Sequence, residues 1–123
     1  MQDSAKEGMA FRLEVAVRQS IAMVGLSGEL DMSRTVRLDE ACAALFGEQV
    51  STTRVDASGI TFIDCAGLRS LLVIAKEMER RGGALVVVQA SAPVRRLLEL
   101  SGYEVLLEEA PSSTSDSELG IRR

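Results

Sequence analysis

The 123-residue chain contains no histidine and no tryptophan. Without histidine it lacks the commonest general base, the usual catalytic triads and most zinc sites. Carboxylate chemistry survives that exclusion. Aromatic residues make up only 3% of the chain, too few for a platform on which nucleic-acid bases stack. The two cysteines, Cys42 and Cys65, lack the paired spacing of a metal cluster and suit a reducing compartment. No apolar run approaches the roughly 18 residues of a membrane-spanning helix. The polar start, Met1–Gly8, does not look like a signal peptide, and a cytoplasmic location is expected. The net charge is −4 with both signs interspersed, which argues against a nucleic-acid partner.

What is present suits one compact domain, because 46% of the residues are apolar. Residues 1–9 and the Ser-rich, charged stretch 111–123 are expected to be flexible ends, leaving a domain over 10–110. In "FRLEVAVRQ" (11–19), Phe11, Leu13, Val15 and Val17 alternate with polar residues, as in a half-buried strand. "SIAMVGLSG" (20–28) follows at once, so a hairpin turning near Arg18–Ser20 is predicted. "GELDMS" (28–33) reads as a turn, with Ser33 capping a helix that runs to about Phe46 and stops at Gly47. A short strand is expected in "TTRVDAS" (52–58), supported by Val50 and Val55. From Leu68 the period changes: Leu68, Leu71, Leu72, Ala75 and Met78 mark an amphipathic helix that Gly82-Gly83 ends. "ALVVVQA" (84–90) is apolar enough for a central strand covered on both faces. Ser91 then caps a helix with Pro93 in its first turn and Gly102 as its stop. "YEVLLEE" (103–109) offers a last strand or a fringe of one. The order β-β-α-β-α-β-α-β implies an α/β sandwich: a mixed sheet, an N-terminal hairpin, and helices mainly on one face.

Two tetrapeptides compete as a site. Asp56-Ala57-Ser58-Gly59 reads as a strand-end turn. Asp64-Cys65-Ala66-Gly67 stands directly before the strongest amphipathic helix. A helix start leaves N–H groups unpaired, Asp64 can cap them, and small residues let a partner approach the backbone. Asp31, just before the first helix, is either a cap or a second acidic member of that site.

Three segments, in this order and spacing, resemble the STAS domain of the bacterial anti-sigma factor antagonists over about residues 10–110. They are "GELD" (28–31), "VDASGITFIDCAGLRSLL" (55–72) and "LVVVQASAPVRRLLELSGY" (85–103). The resemblance implies a non-enzymatic module of transcription regulation, without cofactor or metal. Such a module binds an anti-sigma factor, typically a GHKL-type serine kinase, and so frees a sigma factor. It places the partner contact at Asp31, Ser33, Asp64, Cys65, Ala66, Gly67, Leu68, Arg69 and Ser70, with Arg69 and Ser70 on an exposed face. In the family the residue matching Ala66 is a Ser or Thr whose phosphorylation breaks the complex, by landing charge on a tight contact. Ala66 has no hydroxyl, so that switch is expected to be absent or altered. Constitutive binding, regulation at Ser33, Thr35 or Ser70, or a redox response at Cys65 would take its place. A homodimer is left open; nucleic-acid binding and membrane insertion are not expected. Two rivals stand beside this reading: a STAS accessory subunit of an ABC lipid-transport complex, and a small-ligand or cation site using Asp31 and Asp64.

Overall fold

The computed structural model describes residues 10–46 and 49–108. The ends expected to be flexible, and Gly47 as a helix stop, lie outside them. β1 (Arg12–Arg18) and β2 (Ile21–Leu30) form an antiparallel hairpin. The turn residues Gln19 and Ser20 both have positive φ, 51° and 67°, the conformation that matches the twist of two hydrogen-bonded strands. After β2 come a 3₁₀ turn (Met32–Arg34), α1 (Thr35–Phe46), β3 (Thr52–Ile63), α2 (Cys65–Arg80), β4 (Ala84–Ala90), α3 (Ala92–Leu100) and a second 3₁₀ turn (Glu104–Leu106). The sheet order is β1-β2-β3-β4, with β2, β3 and β4 parallel. The expected mixed α/β sheet with its opening hairpin is therefore present.

One apolar core fills the space between sheet and helices. Ala22, Val24, Leu26 and Leu30 of β2 face it at every second position or a multiple of it. Leu38 and Leu45 of α1, Leu71, Ile74 and Met78 of α2, and Val94 and Leu98 of α3 close it from the helix side. Leu30 and Leu98 are fully buried, and truncating either to Ala is expected to cost about 2–5 kcal/mol.

The structure corrects several expectations. β3 does not stop at Ser58 but runs on to Ile63. Asp56-Ala57-Ser58-Gly59 is a bulge inside it: Gly25 pairs with Asp56, and Ser27 pairs with Gly59, so β3 carries one extra residue there. A second extra residue sits between Ile60 and Phe62, opposite the step from Gly28 to Glu29. Burial along β3 follows suit, falling at Thr53, Val55 and Ala57, then at Ile60 and Ile63, as each bulge stretches a spacing of two to three. A bulge and a turn look alike in sequence because both use the same local bonds. The Asp56 carboxylate accepts from the Ser58 N–H (2.9 Å) and hydroxyl (2.6 Å). A side chain at Gly59 would meet Ser27 Cβ at 2.6 Å, so the neighbouring strand requires glycine there.

β4 is not central. Among the described residues its outer side meets Leu107, through one parallel bridge with Val87, and Glu108, whose N–H donates to the Val87 carbonyl; this is the fringe expected of the last segment. Nor is it covered on both faces: Leu85 and Val87 face the core, while Val86 and Val88, on the other side with Arg54, are only half-buried. "GELDMS" is not all turn, since β2 includes Gly28, Glu29 and Leu30. β1 is less buried than its alternation implied: Leu13 is half-buried, but Val15 and Val17 are 40% and 39% exposed. Their side of the sheet is the helix side, yet at this edge no described helix covers them. Ser91 occupies the cap position of α3 without a side-chain capping bond, and its buried hydroxyl has no partner among the described residues.

Candidate functional site

The site follows from strand register. β2 and β3 run parallel, and their last residues, Leu30 and Ile63, pair with each other. The residues one step beyond, Asp31 and Asp64, therefore emerge side by side at the C-terminal end of the sheet, where loops of parallel sheets commonly build sites. Each acid begins a helical segment in extended backbone, as an N-cap does. Asp31 Oδ1 accepts from the Ser33 N–H (3.1 Å) and from the Ser33 hydroxyl (2.7 Å). Arg34 donates to Asp31 Oδ2 at 2.7 Å and lies 4.0 Å from Glu29. The Ser33 hydroxyl bond, more than the Arg34 charge, lowers the Asp31 carboxyl below its ordinary 3.8. Ser33 thus serves the cap, and Asp31, not Ser33, is the capping residue.

Asp64 joins the two turns. Its Oδ1 accepts from Gly67 N–H (2.9 Å), capping α2, and its Oδ2 accepts from Met32 N–H (3.3 Å) across 32 positions of sequence. The Asp64 N–H reaches back to the Leu30 carbonyl at 3.4 Å. Both carboxylates are committed to N–H donors of the protein, which leaves them poorly placed to act as acid and base. Among the described residues, no group of three or more His, Cys, Asp or Glu side chains could hold a metal ion.

The expected site residues divide by burial. Ser33, Cys65 and Arg69 are exposed, and Asp31, Asp64 and Ala66 are half-buried. Gly67, Leu68 and Ser70 point inward; Ser70, expected on an open face, is only 6% exposed. The physical reason is the helical period: Gly67, Leu68, Ser70, Leu71 and Ile74 form the stripe of α2 against the sheet. A Cβ at Gly67 would stand 2.5 Å from the Leu30 carbonyl oxygen, so glycine here brings helix and strand together. Two exposed apolar residues escaped the sequence reading: Met32 (71%), directly after Asp31, and Phe62 (47%), two before Asp64. The bulges make the side taken by Phe62 unreadable from alternation, and Met32, in a turn, has no periodicity that would mark its exposure. At the same end of the sheet, Ile63, Pro93, Arg96 and Leu100 line a depression of about 320 Å³.

Two acid-capped turns locked edge to edge, with exposed Met32 and Phe62 next to them in the chain, on a four-stranded mixed sheet, define a small α/β domain. The family model described as "Mlab, STAS domain" matches residues 14–108, and the chain belongs to the STAS family. It is 30% identical over 98 residues to an anti-sigma F factor antagonist of Paenibacillus polymyxa, covering 76% of this chain and 81% of that one. A second anti-sigma F factor antagonist, from Lysinibacillus sphaericus, is 28% identical over 95 residues, with 76% and 80% covered. Among solved structures, the unphosphorylated anti-sigma factor antagonist SpoIIAA superposes with a TM-score of 0.71 at 26% identity, covering 82% of this chain and 88% of that one. A sulfate transporter family protein from Wolinella succinogenes, at 16% identity and a TM-score of 0.64, covering 75% of this chain and 79% of that one, shares the fold alone. No described helix is long and apolar enough to cross a membrane.

Proposed function

We propose that the chain is a non-enzymatic interaction module that holds an anti-sigma factor, one of the GHKL serine-kinase type, and thereby frees a sigma factor. The observation that carries this reading is the Asp64–Met32 bond, which fuses the Asp31 and Asp64 turns into one rim. Its exposed members, Met32, Ser33, Cys65 and Arg69, are the contact residues, with Asp31, Asp64 and Ala66 half-buried between them. Gly67, Leu68 and Ser70 shape the rim from beneath. The relatives named as anti-sigma factor antagonists support the class of partner.

Ala66 stands where the family carries its phosphoacceptor. A phosphoryl group there would bring about −1.5 to −2 charges beside the Asp64 carboxylate, enough to break a close contact. Alanine offers no oxygen to modify, so binding is constitutive with respect to this switch. The substitutes are poorly placed: Ser70 is buried, the Ser33 hydroxyl is bonded to Asp31, and the Thr35 hydroxyl donates to the Met32 carbonyl. Cys65, the exposed thiol of the rim, remains as a redox input.

The test is a binding titration against anti-sigma kinases, with intact-mass measurement after incubation with ATP. Wild type binds and gains no phosphate; Met32→Asp and Arg69→Glu bind at least tenfold more weakly; Ala66→Ser gains one phosphate and releases the kinase. Comparing reduced with oxidised protein in the same titration tests Cys65. A correctly folded chain that binds none of the kinases overturns the reading. An unmodified Ala66→Ser chain favours the rival, an accessory subunit of an ABC lipid-transport complex.

A further inference from the structure

The two sides of the sheet are finished differently. Outside β4, Leu107 bridges to Val87, the Glu108 N–H donates to the Val87 carbonyl (2.9 Å), and Glu108 pairs with Arg54 at 3.4 Å. Outside β1, no described residue lies along the strand. Sheet edges of this kind are commonly guarded by charge, and β1 does carry Arg12, Glu14 and Arg18. Among the described residues, however, Glu14 and Arg18 make no ion pair, and Val15 and Val17 are left 40% and 39% exposed.

The hairpin geometry fixes which backbone groups are free. In a two-residue hairpin the pair that closes the turn, here Arg18–Ile21, directs its N–H and C=O groups at each other. The alternation then turns those of Glu14 and Ala16 inward to β2. Val15 and Val17 aim theirs outward, away from β2.

We infer that β1 pairs antiparallel with β1 of a second copy of this chain, with Ala16 on the twofold axis, to give one continuous eight-stranded sheet. Charge selects this register. With Ala16 at the centre, Glu14 of each copy lies opposite Arg18 of the other, and Val15 lies opposite Val17, so four outward backbone hydrogen bonds form between them. Centring on Val15 would set Arg12 against Arg18. Centring on Glu14 would set that carboxylate against its own copy. Shifting toward the turn shortens the overlap. The seam also covers the apolar edge that the helices leave bare. It lies away from the Asp31–Asp64 rim, so a dimer keeps both rims open. So small an interface gives a reversible, micromolar or weaker dimer.

Analytical ultracentrifugation across a concentration series on the full chain tests the seam. Wild type dimerises reversibly. Glu14→Arg and Arg18→Glu, each placing two like-charge pairs in the seam, weaken the dimer about tenfold, and the double variant restores it. In a Cys65→Ser background, Ala16→Cys cross-links two copies under mild oxidation, because directly opposite non-hydrogen-bonded residues sit within disulfide reach; Glu14→Cys does not. Circular dichroism verifies that each variant is folded. A wild-type monomer at every concentration overturns the inference, whether the edge is bare or covered by another segment. So does a dimer indifferent to the single charge reversals, a double variant that fails to recover, or a folded Ala16→Cys chain that does not cross-link.

Discussion

Gly67→Ala sets two effects of known sign against each other. In an isolated helix, replacing an interior glycine by alanine stabilises by about 1 kcal/mol. In the protein, the new Cβ would stand 2.5 Å from the Leu30 carbonyl oxygen and 3.0 Å from both Leu30 Cγ and Ile63 Cγ1. A carbon tolerates a carbonyl oxygen at about 3.3 Å, so the start of α2 must retreat by about 0.8 Å. The nearest obstacle is backbone of a paired strand and cannot swing aside as a side-chain end would. Overpacking of this kind costs about 1–3 kcal/mol. The retreat also stretches the Asp64–Met32 bond, already 3.3 Å long, for a further loss of up to about 1 kcal/mol. The clash and the stretched bond outweigh the propensity gain, leaving a net destabilisation of about 1–2 kcal/mol. For a domain of this size that lowers Tm by about 5–10 °C in thermal unfolding followed by far-UV circular dichroism. Cys65→Ala, two residues earlier and exposed, serves as the control and changes little. A Gly67→Ala chain as stable as wild type, or more stable, would refute the close packing of α2 on β2 as the reason for glycine.

Other consequences are open to measurement. Asp64→Ala removes the cap of α2 and the partner of Met32 N–H together, and should cost about 2–3 kcal/mol in urea unfolding. Ser91→Ala, at the equivalent position of α3, should stay within about 0.5 kcal/mol of wild type because the hydroxyl it deletes has no partner among the described residues. The Asp31 carboxyl is held below its ordinary value, so its contribution is present above the ordinary carboxylate range and lost as pH falls through the lowered value. Asp31→Asn should remove that part of the acid dependence, read as a smaller stability difference between neutral and acidic solution. In thiol titration of the native chain, Cys65 should react promptly, while Cys42, buried and with its thiol pushed up to about 11 by burial and by Asp39, should react only on unfolding.

Local chemistry was legible wherever a residue's neighbours in sequence are also its neighbours in space. Asp64 as a cap, α2 as an amphipathic helix and the hairpin turn at Gln19–Ser20 all depend on contacts within a few positions. So do the motif spacings that mark the STAS family. Long-range pairing decided the rest. Whether Asp56-Ala57-Ser58-Gly59 turns the chain or bulges within a strand depends on Gly25 and Ser27, some thirty residues away, which keep β3 paired through it. An apolar run such as "ALVVVQA" has the same letters at the centre of a sheet as near its edge, and only the strand order placed it at the edge. The sequence by itself thus determined the order of the main elements, the Asp64 cap and the acidic character of the two turns. The tertiary structure alone decided that Leu30 pairs with Ile63, and so that Asp31 and Asp64 meet, that Ser70 faces inward, and that Met32 and Phe62 stand in solvent beside them. The reason is that strand register is set by backbone hydrogen bonds and apolar packing between distant segments, which the letters around the site do not reveal locally.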